Sequence, residues 1–509
     1  MNRVKYIQDK LFNVDAVLND QKWNCSRLLT ITIFCLFAIT IALRIVLLKS
    51  YLPDLTVGED NNVWNIQQVL LGKSIYTDPS KLPFEIFQYT PLFQLPVIFL
   101  AKVFSFVPGE DVYSFFVLSR SLSLLYNLGS ALTVFLLLRK RFNVALNLAL
   151  FASFFSLALI SRDCFTLRPN ALFQLFFLLA IYWIILSLQT RKFRDQLVAA
   201  LFISLCIFTK QSGIQLIITL GGFLLLFEKF TFSIKFFGTV IGAFIIFALG
   251  FWGIFGDVFF ANTIGGISLP MNYLVAYQVF DFVFFRNSVL FISAVLIALY
   301  WVIRQNKSDF SAVGIFTLGT LIFAMGTSLK VGSGIGYYDE TIIMCLITVA
   351  IGSHHFMNRH ASISRNKGSM VAIAFLALYF PMLLSNQFFH QYSRNISSAH
   401  EVKYHEDKII AAQLKKNLAP DAKLFTPHKN IKNFLIEESI LPNTEFYGVS
   451  KIDFSESKKL SEEGKIEVLL SKDPMDYRTL KRTGIDIKKY TPIMTFGDLT
   501  LYRNYVGKK

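Results

Sequence analysis

Cysteine is scarce in this sequence of 509 residues, and the few thiols are not arranged in pairs. No CxxC motif occurs, and most of the five cysteines lie inside apolar runs; they are Cys25, Cys35, Cys164, Cys206 and Cys345. The spacing therefore predicts neither a disulfide framework nor a zinc site. Internal repeats and low-complexity tracts are also missing from the sequence.

Charged residues are few as well, at 17% of the chain, and the 34 acidic residues are outnumbered by 50 basic ones. The net charge of +16 does not indicate a nucleic-acid partner, because 54% of the residues are hydrophobic and phenylalanine alone supplies 53. The mean hydropathy is +0.49. In a membrane protein, excess lysine and arginine usually lie in cytoplasmic loops, so we expect a protein embedded among membrane lipids and no nucleic acid.

The sequence is instead rich in apolar runs of roughly eighteen residues or more, which are typical of transmembrane helices. The first run follows a basic segment, residues 1–27, which we expect in the cytoplasm. This run is too long for a signal peptide and lacks a small-residue cleavage site, so it is predicted to be a retained span. We therefore predict an all-α polytopic membrane domain over residues 28–386, with about eleven transmembrane helices. The predicted spans are 28–48, 113–138, 143–160, 171–189, 195–209, 212–227, 233–255, 288–304, 310–328, 339–356 and 369–386.

The positive-inside rule sets the expected orientation of these spans. With a cytoplasmic N-terminus, all the basic clusters fall on the cytoplasmic side if residues 91–107 lie along the outer interface as an amphipathic helix. If residues 91–107 crossed the membrane, the cluster Arg139–Arg141 would move outside and the agreement would break. The other basic clusters are Arg191–Arg194, Lys229–Lys235, Arg304–Lys307 and Arg359–Lys367.

The same orientation puts an outer loop, residues 49–112, and the C-terminal tail, residues 387–509, on the extracytoplasmic side. The tail is less hydrophobic, and its short elements predict a small extracytoplasmic α/β domain with one modest core. The expected elements are helices near Ile409–Leu418 and Tyr477–Thr483, strands near Lys423–Pro427 and Lys465–Ser471, and a terminal hairpin turning at Gly497–Asp498.

Two adjacent carboxylates, Glu59 and Asp60, stand at the head of an amphipathic helix pattern in the outer loop, residues 61–71. A carboxylate there could act as general base toward an acceptor hydroxyl, or bind a metal ion. Acidic residues also favour helix N-termini, so capping of this helix explains the pair equally well. The two roles are compatible, because each carboxylate can serve one of them.

Cationic side chains occur where neighbouring spans meet on the outer side. The first group is Arg162, Asp163, Arg168 and Asn170, and the second is Lys210 and Gln211. Guanidinium groups could hold an anionic headgroup or diphosphate bidentately, and a lysine between spans is a functional candidate by default. The alternatives are an Arg–Asp pair that closes a tight loop and long side chains that extend to the interface.

A glycine-containing segment, Leu329–Glu340, lies at the mouth of a later span. Small residues allow the backbone to approach a ligand closely, and Lys330, Tyr337, Tyr338 and Glu340 accompany them. Because glycine-rich loops are common, this segment alone is weak evidence of a site.

The order of these motifs resembles that of the C-type glycosyltransferases (GT-C), multi-span enzymes that use polyprenyl-phosphate-linked sugars. In that family an acidic pair, usually Asp-Glu, heads a juxtamembrane helix in the first outer loop, and a Tyr-Pro-Pro-Leu-like segment opens a second one. This chain has Glu59-Asp60 and then Tyr89-Thr90-Pro91-Leu92. Leu167–Leu172 is similar to an Arg-Pro-Asp-Ala-Leu pattern, Phe208–Ser212 to a Thr-Lys-Gln segment, and Lys330–Glu340 to a Lys-x-Gly-Ser…Asn-Tyr-x-x-Glu stretch.

The resemblance covers about residues 28–385 and not the tail. Within it the acidic pair is inverted, Asn170 replaces the usual Asp, and Gly336 stands where Asn is common. The inversion leaves open which carboxylate corresponds to the family's catalytic one.

The resemblance implies inverting transfer of a hexosyl or pentosyl group from a polyprenyl-phosphate sugar donor to a hydroxyl of a lipid, glycan or protein acceptor. Glu59 or Asp60 would be the base. The implied donor-phosphate ligands are Arg162, Arg168, Lys210 and Lys330. The implied sugar or acceptor contacts are Tyr89, Asp163, Asn170, Gln211, Tyr337, Tyr338 and Glu340. A divalent metal ion is compatible with the resemblance, although the sequence offers no evident ligand set.

The amino-acid composition is rich in Phe, Ile, Lys and Asn, which favours a bacterium of low GC content as the source. We therefore expect the protein in a bacterial inner (plasma) membrane. The alternative function is a lipid or polysaccharide transporter or flippase. Transporters usually show paired repeats and helices broken at the midplane, whereas no repeat is visible here.

Overall fold

The computed structural model describes residues 25–441 and 452–505, apart from 57, 268–269, 305–307, 360–394, 472–476 and 478–479. The predicted span 369–386 lies outside the described residues. Every other predicted span overlaps a helix. The helices up to that gap are α1 (Cys25–Leu48), α2 (Glu59–Leu70), α3 (Leu95–Val103), α4 (Val112–Leu136), α5 (Leu146–Ala158), α6 (Asn170–Thr190), α7 (Phe193–Ile207), α8 (Ile214–Phe227), α9 (Phe230–Phe255), α10 (Asp257–Thr263), α11 (Tyr273–Ile303), α12 (Ser308–Ser328) and α13 (Asp339–Arg359).

Among the described residues, 7 helices are long and apolar enough to cross a membrane. They are α1, α4, α6, α9, α11, α12 and α13. The helices α5, α7 and α8 have 13, 15 and 14 residues, fewer than the roughly 20 that a straight crossing needs. Together these helices confirm the predicted all-α polytopic class.

Helix α11 differs from its prediction, because it begins at Tyr273 rather than near residue 288 and runs for 31 residues. The aromatic and apolar residues before Asn287 continue the helix, and Asn287 alone has non-helical backbone angles. The apolar run alone predicts too late a start for this helix, because Asp281 and Arg286 interrupt the run before residue 288.

The segment predicted to lie along the interface forms a 3₁₀ turn, Pro91–Phe93, and the nine-residue helix α3. Val97, Ile98 and Ala101 are buried on one side of α3, whereas Phe99 is 65% exposed on the other. A helix of nine residues is about 14 Å long, less than half of the hydrocarbon thickness. This length agrees with an interfacial position.

The loops at one end of the helical bundle are basic and contact one another. Arg139 Nη1 donates to the carbonyl of Val144, Gln189 Nε2 donates to Asp309 Oδ2 at 3.1 Å, and Arg191 pairs with Glu228. The outer loop and the remaining turns gather at the opposite end. The chain therefore has the two chemically distinct ends that the charge pattern predicts, while the assignment of the basic end to the cytoplasm stays a prediction.

The C-terminal part contains a five-stranded mixed sheet with the order β2-β1-β3-β5-β4. Strand β1 pairs in parallel with β2 and β3, and β5 pairs in antiparallel with β3 and β4. The elements are α14 (Ser398–Asn417), β1 (Lys423–Phe425), α15 (Lys429–Phe434), β2 (Ser439–Ile440), α16 (Ser455–Glu462), β3 (Ile466–Leu470), β4 (Thr491–Phe496) and β5 (Leu499–Arg503). Its apolar core includes Phe425, Val468 and Leu470 and is joined by Phe84 and Ile86 of the outer loop.

The expected strands and the hairpin are present in this part, which confirms the predicted small α/β unit. Gly497 adopts a left-handed φ of 60° at the hairpin turn, as the Gly-Asp pair predicts. The expected helix Ile409–Leu418 is the second half of the longer α14, and the expected helix Tyr477–Thr483 lies partly outside the described residues. Strand β2 was missed because it has only two residues.

Candidate functional site

Glu59, the first residue of α2, forms a fully buried ion pair with Arg120 of α4. Arg120 Nε donates to Glu59 Oε1 at 2.8 Å, and Arg120 Nη2 donates to Glu59 Oε2 at 2.9 Å. The same guanidinium donates to the backbone carbonyls of Ser50 and Leu52. The Leu55 amide also donates to Oε2, so Oε2 accepts two hydrogen bonds and Oε1 accepts one. Glu59 therefore fastens the residues before α2 to α4.

Asp60, the next residue, contacts α15 of the C-terminal part instead. Lys432 Nζ lies 2.5 Å from Asp60 Oδ2, and both side chains are more than nine-tenths buried. A second ion pair joins Lys429 Nζ to Asp54 Oδ2 at 2.5 Å. Burial raises the pKa of Asp54 to about 7, and the neighbouring Asp60 carboxylate acts in the same direction. Two lysines of α15 thus neutralise two acids of the outer loop.

Asn433 completes this contact, since positions i, i+3 and i+4 share one face of a helix. Its Nδ2 donates to the Asp60 carbonyl at 3.3 Å, and its Oδ1 accepts from Gln67 Nε2 at 2.9 Å. We refer to Lys429, Lys432 and Asn433 as the α15 clamp. It holds the first turns of α2, whose acids lie inside the helix rather than at the cap, Gly58.

The outer loop is also tied to the turn between α5 and α6. Asn62 Nδ2 donates to the Leu167 carbonyl at 2.6 Å, and the hydroxyls of Thr56 and Thr166 lie 2.6 Å apart. The adjacent residue of that turn is Arg168. The acidic pair and the predicted phosphate ligands therefore lie on neighbouring segments at the same end of the bundle.

Arg168 links two other predicted site residues. Its Nη1 donates to Asp163 Oδ1 at 2.8 Å, and its Nη2 donates to the Tyr89 hydroxyl at 3.1 Å. Burial opposes the charged form of Arg168, but the Asp163 carboxylate together with the hydroxyls of Tyr89 and Tyr337 outweighs burial and raises the pKa of Arg168. Arg168 therefore stays a cation beside an aromatic hydroxyl.

Lys210 lies in the tight turn after α7 and is 7% exposed. Its Nζ is 4.9 Å from the centre of the Tyr337 ring and 5.3 Å from that of Phe173. Burial would lower the pKa of Lys210, but attraction from Glu340, together with smaller contributions from Tyr337, Tyr89 and Asp163, outweighs burial and raises it. Lys330 has the opposite balance, because burial and the charge of Lys210 both lower its pKa, to about 8. The two lysines are close enough to repel each other.

Gly336 explains one departure from the family pattern. A Cβ atom at this position would lie 2.6 Å from Asp163 Oδ2 and 2.8 Å from Asn170 Nδ2. A side chain such as asparagine therefore does not fit while Asp163 and Asn170 keep these positions. The three residues Gly336, Asp163 and Asn170 form one close contact, and the segment Lys330–Glu340 meets the α5–α6 turn there.

The other predicted residues divide between this region and its surroundings. Gln211 Nε2 donates to the carbonyls of Gln88 and Thr263, so this side chain holds together the segments that contain these residues. Arg162 is exposed, and no ion pair links it to a described residue. Tyr338 is fully buried in a separate apolar cluster, with its hydroxyl 3.3 Å from Ser328 Oγ. These three positions favour structural or peripheral roles.

Sequence reasoning missed Asp54, Asp339 and the α15 clamp. Asp339 is buried and accepts from the amide and the hydroxyl of Ser161, at 2.8 and 2.6 Å. Asp54 and Asp339 adjoin the chosen motifs, so nearness to those motifs was an available signal. The lysines of α15 occur in a tail full of lysines and gave no such signal. Within the described part of the chain, no group of three or more His, Cys, Asp or Glu side chains could hold a metal ion.

No family model matches the sequence, and no curated protein matches it significantly. Solved structures, however, resemble nearly the whole chain. ArnT from Cupriavidus metallidurans bound to undecaprenyl phosphate is 14% identical with a TM-score of 0.57, covering 94% of this chain and 98% of that chain. Oligosaccharyltransferase AglB from Archaeoglobus fulgidus, with an inhibitory peptide and a dolichol-phosphate, is 12% identical with a TM-score of 0.55, covering 93% and 74%.

At these identities the likeness defines the fold. The chain has the fold of the C-type glycosyltransferases, which confirms the fold inferred from the order of the motifs. The likeness extends over the C-terminal part, which the motif resemblance did not reach.

Proposed function

We propose that the protein is an integral membrane glycosyltransferase that uses a polyprenyl-phosphate-linked sugar donor. The transfer goes to an acceptor hydroxyl on the extracytoplasmic face and inverts the anomeric centre. Support comes from the fold, from the separation of the basic end from the site end, and from the gathering of acids and cations at the site end.

The observation that carries this proposal is a pair of cations at the site end: Lys210 is 7% exposed and is attracted by Glu340, and its charge acts with burial to lower the pKa of Lys330. Two neighbouring buried or half-buried lysines are unfavourable unless an anion is bound between or beside them. A phosphate group would relieve the repulsion and would accept charge-assisted hydrogen bonds from both ammonium groups. Arg168, with its donors directed at Asp163 and Tyr89, lies on a neighbouring segment and would add a further cation.

Asp60 is our candidate for the base. Both oxygens of Glu59 are engaged with a completely buried arginine, so Glu59 cannot take a proton without breaking that pair. Asp60 instead faces Lys432, on a part of the chain that is separate in sequence and contacts the site from outside the bundle. Release of Lys432 would free the carboxylate for an acceptor hydroxyl.

In the proposed reaction the acceptor oxygen attacks the anomeric carbon as its proton passes to Asp60. The bond from that carbon to the phosphate oxygen breaks, and the electron pair leaves with the polyprenyl phosphate. Lys210, Lys330 and Arg168 stabilise the added negative charge, which is the principal electrostatic contribution that such a site can make. Attack opposite the leaving group gives inversion.

The proposal is tested by the binding of undecaprenyl phosphate to the protein in nanodiscs. Loss of one charge-assisted hydrogen bond costs roughly 1.5–3 kcal/mol, so Lys210→Met should weaken binding by about 10-fold to 150-fold. The matched control is Lys229→Met, at an exposed lysine. Binding should also weaken between pH 7 and 9, because Lys330 loses its proton near pH 8. Equal binding by both variants at all pH values would overturn the phosphate site.

Transfer itself is tested with membranes supplied with radiolabelled polyprenyl-phosphate sugars. Asp60→Asn should abolish sugar release while the folded protein remains abundant. A variant with normal turnover would exclude Asp60 as the base, and failure of the wild type with every donor would exclude the glycosyltransferase.

A further inference from the structure

A cavity of about 310 Å³ lies between the C-terminal part and the segment that follows α1. Tyr51, Leu52 and Pro53 line it on the bundle side. The C-terminal side is formed by residues of α14, of the β1–α15 segment and of the sheet, including Asp407, His428, Lys429, Asn430 and Leu499. The volume lies at the lower end of the range for small-molecule sites, roughly 300–1,000 Å³.

Asp407 is the feature that suggests a ligand. Its side chain is completely buried, and Oδ2 accepts from Asn430 Nδ2 at 2.8 Å. Lys403 Nζ and His428 Nε2 lie 3.5 and 3.7 Å from Oδ1, which is ion-pair distance but longer than a normal hydrogen bond. Among the described residues Oδ1 therefore has no hydrogen-bond donor.

Asn430 adds a second acceptor of the same kind. Its side chain is 3% exposed, and its Oδ1 also lacks a hydrogen-bond donor within the described parts of the chain. Buried polar atoms are rarely left in this state, because each costs about 1–3 kcal/mol. Two such acceptors at one cavity call for a ligand that donates hydrogen bonds.

The remaining lining narrows the chemistry of that ligand. Tyr51 is held by stacking on Tyr113, with ring centroids 4.2 Å apart and planes at 11°, and it forms a rigid wall beside Leu52 and Pro53. Opposite this wall the cavity carries the acceptors of Asp407 and Asn430 and also basic side chains, among them Lys403 and Lys429. Such a lining suits a molecule whose hydroxyl groups both donate and accept hydrogen bonds and which has an apolar carbon-hydrogen face. A saccharide ring has this combination.

Lys429 connects the cavity to the candidate site. It lines the cavity and is ion-paired with Asp54, whose pKa is raised in part by Asp60. A molecule in the cavity would therefore contact Lys429, whose ion-pair partner Asp54 interacts electrostatically with the proposed base.

We propose that this cavity binds a sugar unit of the acceptor, with Asp407 and Asn430 accepting hydrogen bonds from its hydroxyl groups. This proposal rests on the glycosyltransferase function proposed above. It makes the acceptor a glycan or glycolipid rather than a protein, and it gives the C-terminal part a direct role in acceptor recognition.

The test is saturation-transfer NMR of the full-length protein in nanodiscs with methyl glycosides of glucose, galactose, mannose and N-acetylglucosamine. At least one glycoside should show saturation transfer. Asp407→Asn should reduce it at least fivefold, and Asn430→Leu provides a second variant should the first not fold. Glu406→Gln is the matched control, because it removes the same charge from an exposed neighbour on α14.

The cavity proposal would be overturned if saturation transfer to the glycosides persisted in both cavity variants. It would also be overturned if the wild type gave no more saturation transfer than empty nanodiscs. A cavity that holds only water would give no saturation transfer to any glycoside. Undecaprenyl phosphate binding on the same samples separates the two proposals. Lipid binding without glycoside binding refutes only the acceptor cavity, whereas absent lipid binding refutes the proposed donor site.

Discussion

The pair of Glu59 and Arg120 gives the sharpest prediction about stability, since both side chains are completely buried. In Glu59→Gln the arginine would keep its charge and lose its counterion. Removal of one partner of a buried pair costs about 3–5 kcal/mol. Arg120→Met should cost at least as much, because the carbonyls of Ser50 and Leu52 would also lose their donor.

A double-mutant cycle separates this structural effect from catalysis. Glu59→Gln combined with Arg120→Met removes both charges, so its cost should fall below the sum of the single costs by about 2–3 kcal/mol. Unfolding in detergent can be followed by tryptophan fluorescence, since Trp64 is completely buried in α2. Additive costs, or a Glu59→Gln protein that unfolds like the wild type, would refute the structural role of the pair.

Two further predictions concern buried charges near the same loop. Lys432→Met should lower the free energy of unfolding by about 3 kcal/mol, because Asp60 would keep its buried charge without a partner. In the same denaturation assay, the control Lys415→Met, which removes an exposed lysine from an ion pair, should cost at most about 1 kcal/mol. Burial raises the pKa of Glu85 to about 8 in the folded protein, so the folded state keeps this proton to higher pH than the unfolded state does. The free energy of unfolding should therefore fall as pH rises from about 4.5 to 8. Glu85→Gln should remove that decline and be the more stable protein at pH 8 by a few kcal/mol, at about 1.4 kcal/mol per pKa unit; parallel melting curves for both proteins across this pH range would contradict the reasoning.

The membrane part of the fold could be predicted from the sequence because apolar run length is a direct physical requirement of the bilayer. The charge pattern alone predicts an interfacial position for residues 91–107, and the nine-residue length of α3 agrees with that prediction. The start of α11 could not be found in this way, because Asp281 and Arg286 make a helical stretch look like a loop.

The candidate site was only half predictable, for a similar reason. Glu59, Asp60, Arg168 and Lys210 stand out because charge is rare where they occur. The residues that pair with them are not conspicuous in the sequence. Lys432 is one of many lysines in a polar tail, and only the fold brings it next to Asp60.

The α15 clamp also has a consequence for the timing of synthesis. Asp54 and Lys429 are separated by 375 positions in the chain, so the ribosome makes the acids long before the lysines that neutralise them. Until α15 has been synthesised, Asp54 and Asp60 lack the lysines that pair with them in the folded protein. The contacts of the outer loop with Arg120 and Leu167 can therefore form before its contacts with α15, which complete the loop only after the chain reaches Lys432.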